Sequence, residues 1–102
     1  MGAHMRYSFK SKKLEALYEQ EKGVDKYEAA VIEGFFIVMS RIASATNEQD
    51  LRALKGRRLE KLTGEKGKHS MRLNQQWRLI FTFEEDKQGK YIQILEISDH
   101  YK

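Results

Sequence analysis

The sequence predicts an α+β fold: a short N-terminal strand, then two helices packed on an antiparallel sheet completed by three consecutive C-terminal strands. Three observations carry this. Apolar residues between Leu14 and Ala43 recur at helical spacing. From His69 onward the period changes to two, the mark of half-buried strands. Short glycine-containing breaks, Gly64-Glu65-Lys66-Gly67 and Glu84 to Gly89, separate the alternating runs, so consecutive strands pair antiparallel. At 102 residues the chain amounts to one small domain.

Each element has a local reason. Arg6-Tyr7-Ser8-Phe9 alternates polar and aromatic residues, a strand signal. Ser11 is placed to cap a helix whose Leu14, Leu17 and Tyr18 share a face, and Gly23 is placed to end it. Asp25-Lys26-Tyr27-Glu28 reads as a variant capping box opening a long helix to about Ala45. Along that helix Val31, Phe35, Val38 and Ile42 form one stripe, and Ile32, Phe36, Met39 and Ala43 its neighbour. Two adjacent stripes make a wide apolar face suited to lying on a sheet. Asn47 to Leu54 reads as a connector with room for one helical turn, and Leu59 to Leu62 as a short or bulged strand. His69, Met71 and Leu73 then share one face, as do Trp77, Leu79, Phe81 and Phe83. Tyr91 to Ile97 is mostly apolar, which predicts a central strand.

Composition narrows the chemistry. The chain has no cysteine, so disulfides and thiolate metal sites are excluded. No apolar run reaches membrane-spanning length and no signal peptide is visible, so no membrane partner is expected and the cytoplasm is the expected location. Gly2-Ala3-His4 before Met5 reads as an expression scar, which assigns residues 1–4 to the scar and 5–102 to the domain. Net charge is only +4, yet residues 51–78 hold nine Lys/Arg against two acids, and residues 1–50 hold seven against eight. Such a concentration of cations suits a polyanion, because phosphate neutralisation releases counterions.

The sequence closes on Asp99-His100-Tyr101, where acid, imidazole and phenol stand together as groups able to move protons. RNA carries its own nucleophile, the 2′-OH. Cutting it needs a base for that hydroxyl, an acid for the 5′-oxygen, and a cation against charge building on phosphorus. Arg78, on a strand and facing away from the apolar row Trp77, Leu79 and Phe81, is the candidate cation. Asp99, His100 and Tyr101 are the other catalytic candidates. Arg57, Arg58, Lys61, Lys68, His69 and Arg72 are candidate RNA contacts, and Glu60 is a possible acid or base. His69 also has a plainer reading, a half-buried and hydrogen-bonded side chain. No metal site and no cofactor are expected from the motifs present.

Several segments resemble a known family: Arg58-Leu-Glu-Lys-Leu-Thr-Gly64, His69-Ser-Met-Arg-Leu-Asn74, Gln76-Trp-Arg-Leu-Ile-Phe81 and Glu96-Ile-Ser-Asp99. They are similar to HigB-type toxins of the RelE superfamily, from bacterial type II toxin–antitoxin systems. The resemblance extends over nearly the whole chain from Met5. It implies a RelE-like fold and a ribosome-dependent mRNA endonuclease that cuts mRNA in the A site of the 70S ribosome and so inhibits translation. It also implies a cognate helix-turn-helix, HigA-like antitoxin. By that resemblance Arg78 matches the family's phosphate-binding arginine and Asp99 the acid closing the last strand. Where many members read Tyr-His this chain reads His100-Tyr101, and where some carry His or Lys it has Glu60 and Thr63. Two other classes fit the basic segment: a non-catalytic RNA-binding module, and a RelE-like module that binds only the antitoxin.

Overall fold

The computed structural model describes residues 4–99. Strand β1 (Arg6–Phe9) leads into helix α1 (Lys12–Gln20), a 3-10 turn at Val24–Lys26, and the long helix α2 (Ala29–Ser44). A short helix α3 (Glu48–Arg52) and a second 3-10 turn at Lys55–Arg57 follow. Strands β2 (Glu60–Lys61), β3 (Lys68–Arg72), β4 (Arg78–Asp86) and β5 (Gly89–Ser98) complete the fold. The α+β class therefore holds.

The helix boundaries differ from expectation in instructive ways. Ser11 does cap α1, its hydroxyl accepting from the Leu14 N–H at 3.3 Å. The stop, however, falls at Glu21, which takes the left-handed position (φ 55°) and donates its N–H to Leu17 O. Gly23, two residues later at φ 87°, starts the 3-10 turn instead. Asp25 lies inside that turn and caps nothing long. Tyr27 is extended (φ −132°, ψ 155°) and meets Trp77 edge-on at 6.0 Å, so the helix can begin only beyond it, after Glu28. In the connector, Asn47 caps α3 by accepting from the Asp50 N–H at 3.2 Å.

The sheet runs β1-β5-β4-β3-β2. Its four later strands are antiparallel, but β1 lies parallel to β5, so the sheet is mixed rather than wholly antiparallel. A parallel neighbour demands a long crossover, and the helices with the rest of the sheet supply it. A bulge opposite Ile80/Phe81 shifts the β4–β5 register by one residue.

One face of the sheet carries the core. Met71, Leu79, Phe81, Ile92, Ile94 and Ile97 meet Val31, Phe35, Val38, Met39 and Ile42 of α2, all buried. Burying each such side chain stabilises the fold by roughly 1.5–3 kcal/mol before the entropy of ordering it is counted. Gly34 is also buried, directly against the backbone of Leu73 at the end of β3. The opposite face of the sheet carries Lys68, Ser70, Arg72 and Arg78, with Ile80 and Thr82 among them. Among the described residues no helix is long and apolar enough to cross a membrane.

Candidate nucleic-acid interface

Strand alternation determines which groups share the polar face. Leu79 and Phe81 point into the core, so Arg78 and Ile80 point the other way. Cross-strand register then assembles the face. Arg72 lies opposite Arg78 on one side and Ser98 opposite it on the other. Ser70 pairs with Ile80, and Glu60 pairs with Ser70. Lys68 continues the β3 row opposite Thr82.

Arg78 is the centre of this group. Its Nη1 donates to Glu60 Oε1 at 2.6 Å and to Ser70 Oγ at 3.4 Å. The arginine side chain is only 12% exposed, its glutamate partner 48%. That hydrogen bond holds the Glu60 carboxyl below its ordinary range, with the charges of Arg78, Arg58 and Arg72 adding to the effect and burial opposing it. One carboxylate therefore sits among three guanidinium groups. Two like charges directly across a strand pair repel, so Arg72 beside Arg78 is costly without an anion nearby. Arg72 Nε is moreover buried with no hydrogen-bond partner among the described residues. This face has a surplus of donors and positive charge, and it is chemically suited to phosphate oxygens.

The other anticipated residues divide. Arg58, exposed and in a left-handed conformation (φ 48°), leads into β2 beside Glu60, and Lys68 shares the face with an ion pair to Glu65 at 4.0 Å. Arg57 is committed elsewhere: its Nη1 donates to the Leu73 carbonyl at 2.7 Å and bolts the 3-10 turn to the end of β3. Lys61 and His69 pair with each other on the helix side, so the sheet separates them from Arg78. The His69 ring lies against Phe83 at 4.8 Å and Phe81 at 6.2 Å, with Nδ1 3.3 Å from Gly67 O. That is the plainer, half-buried reading of His69, and it sets the ring on the helix side of the sheet, away from Arg78. Asp99 follows Ser98 at the same end of the sheet as Arg78, but its carboxylate accepts from Gln76 Nε2 at 3.4 Å rather than from an arginine. His100 and Tyr101 lie outside the described residues.

Comparison with known proteins decides the family. Residues 7–95 match the family described as the RelE-like toxin of type II toxin–antitoxin system HigB. The chain belongs to the HigB toxin family. It is also similar to Toxin HigB-1 of Vibrio cholerae serotype O1, with 38% identity over 78 residues, covering 76% of this chain and 82% of that protein. A HigB toxin is one half of a toxin–antitoxin system, so the family implies an antitoxin partner.

The sequence pointed to the arginines of this polar face but not to what arranges them. Ser70, fully buried, touches the Arg78 guanidinium, and Ser98, 3% exposed, faces it across the β4–β5 pair. The available signal was parity: Ser70 alternates with His69 and Met71, which places it with Arg72. The Glu60–Arg78 bond depends on the β2–β3 register, which no local pattern fixes.

Proposed function

We propose that the protein is a ribosome-dependent mRNA endonuclease that cuts mRNA in the ribosomal A site by attack of the 2′-OH. The observation that supports this best is the gathering of Arg58, Arg72 and Arg78 on one sheet face, next to the strand end that leads into Asp99-His100-Tyr101, in a chain of the HigB family. Arg78 serves as the phosphate clamp. A guanidinium braced on a central strand neither reorganises nor drifts as charge accumulates on the phosphoryl oxygens. Asp99 or His100 assists proton removal from the 2′-OH, and His100 or Tyr101 protonates the departing 5′-oxygen. The cytoplasm is the proposed place of action. A HigA-like helix-turn-helix antitoxin is the proposed neutralising partner, its acidic or polar surface meeting this basic face.

A shallow basic face cannot by itself hold flexible RNA in line for displacement. Pre-positioning of the codon by the ribosome supplies that orientation, an effect of several kcal/mol. The test is primer extension on translated mRNA after induction, comparing wild type with Arg78→Ala. Codon-spaced cuts that fall by about 10²-fold in the variant are expected. Absence of cuts with the folded wild-type protein overturns the reading and leaves a module that only binds RNA or antitoxin.

A further inference from the structure

The Arg78 guanidinium already holds an internal anion. Its Nη1 is bound to Glu60 Oε1 at 2.6 Å, and its side chain is almost wholly covered. A phosphodiester that approaches this guanidinium therefore competes with Glu60 for the Nη1 donor. The two partners differ in how easily they move. Arg78 opens β4, which is paired on both sides, with β3 and with β5. Glu60 belongs to the two-residue strand β2 at the edge of the sheet. That strand lies between Arg58 in its left-handed conformation and a turn whose Gly64 and Gly67 both have positive φ. The Glu60 side chain is half-exposed, so a displaced carboxylate passes directly into water without an interior charge being stranded. Once it swings out, the carboxylate that sat among Arg58, Arg72 and Arg78 is withdrawn from them.

We propose that Glu60 is a specificity-determining residue: an internal anion that competes with substrate phosphate for Arg78, so that the clamp closes only on RNA already held in place. The inference rests on the ribosome-dependent reading and deepens it. Free RNA that reaches this face must lose its own conformational freedom and displace Glu60 as well. RNA threaded through a ribosome has already lost that freedom, and its phosphate stands beside the guanidinium at high effective concentration. Only the second can win the exchange. The internal competitor thus suppresses action on loose RNA while leaving the ribosomal substrate accessible.

The test uses the full chain and a short single-stranded RNA oligonucleotide bearing 2′-O-methyl groups, which binds but is not cut. Its affinity is followed by fluorescence anisotropy for wild type, Glu60→Gln, Arg78→Ala and the double variant, with circular dichroism as the folding control. Glu60→Gln is expected to bind about three- to fivefold more tightly than wild type, the size of a partly exposed ion pair removed. The gain should vanish when Arg78 is already Ala. Glu60→Ala serves as a second variant and should behave alike. Cutting of unmodified RNA without ribosomes should rise relative to ribosomal cutting. Unchanged or weaker affinity overturns the proposal. So does a gain of equal size in the Arg78→Ala background, since that reports only bulk charge. Loss of ribosomal cutting at wild-type affinity also overturns it, by assigning Glu60 to proton transfer. Failure of the wild-type protein to cut translated mRNA defeats the endonuclease reading separately, because the affinity comparison does not depend on cleavage.

Discussion

Replacing Gly34 with alanine adds one methyl group where α2 runs directly against the backbone of Leu73. A Cβ at Gly34 would stand 2.1 Å from the carbonyl oxygen of Leu73, 2.8 Å from its carbonyl carbon and 2.9 Å from its Cα. Ordinary contact begins near 3.4 Å, so α2 and the end of β3 must separate by more than 1 Å. Neither side yields easily. The Leu73 carbonyl accepts from Arg57, and the Leu73 N–H donates to Trp77 O at 2.8 Å. Asn74 Oδ1 tightens the same turn by accepting from the N–H groups of Gln76 and Trp77 at 2.9 and 2.7 Å. Overpacking of this kind costs about 3 kcal/mol. Alanine returns about 1 kcal/mol through its better helix propensity. The net loss is therefore about 2 kcal/mol, or about 10 °C in Tm for a domain of this size. The turn carries Trp77 into Arg78, so the shift also moves the proposed clamp, and cleavage should fall further than stability explains. Urea unfolding of Gly34→Ala beside Gly56→Ala measures this. Gly56 has nothing within 4 Å of an added Cβ, and its variant should be neutral. Should Gly34→Ala prove as stable as wild type, the close approach is not the constraint described.

Further outcomes follow from the polar face and its ion pairs. Affinity for single-stranded RNA should fall with salt at a logarithmic slope of about −2, the value for three phosphates neutralised by Arg58, Arg72 and Arg78; titration across ionic strengths that gives a flat line refutes the mode of binding. Glu60, held low by Arg78, and Asp86, held low by Arg6, bind protons more readily when unfolded. Their stabilisation is complete above the ordinary values of 4.5 and 3.8 and is lost as pH falls through the lower folded values. The stability difference between wild type and a doubly neutralised Glu60→Gln, Asp86→Asn variant should therefore shrink on acidification, and a difference independent of pH contradicts it. If the 2′-OH is the nucleophile, cleaved mRNA should end in a 2′,3′-cyclic phosphate. A 2′-O-methyl group at the nucleotide preceding the cut should then abolish cleavage, which mass spectrometry and primer extension read directly.

The parts legible in the sequence are those set by local chemistry. Ser11 announces its helix because a hydroxyl at that position satisfies an orphan N–H. The α2 stripes announce the core because period and hydrophobicity agree over four turns. Alternation around Arg78 announces its orientation. What stayed hidden depends on partners far along the chain. Asp25 has the chemistry of a cap, but Tyr27 is pinned by Trp77, fifty residues away, and the helix starts later. Arg57 has the charge of a phosphate contact, yet two strand-end carbonyls lie within its reach and claim it. His69 lies in the basic segment, but its strand parity places it on aromatic rings. Glu60 looks like an isolated acid until the register of β2 brings it to Arg78.

The parallel pairing of β1 with β5 also has a consequence in time. Arg6 and Tyr91 are register partners 85 residues apart, and Arg6 fastens the pair again by bonding Asp86 and Gly89 O. A chain emerging from its N-terminus cannot seat its first strand until its last one has been synthesised. Closing so long a loop is entropically slow, and the docking of α1 beside β1 waits on it. The polar face is delayed likewise, because Arg78 acquires its Ser98 neighbour only from β5. This chain is thus translated, for most of its length, in a form that lacks the finished surface. An antitoxin already present has the whole folding time in which to meet the new chain.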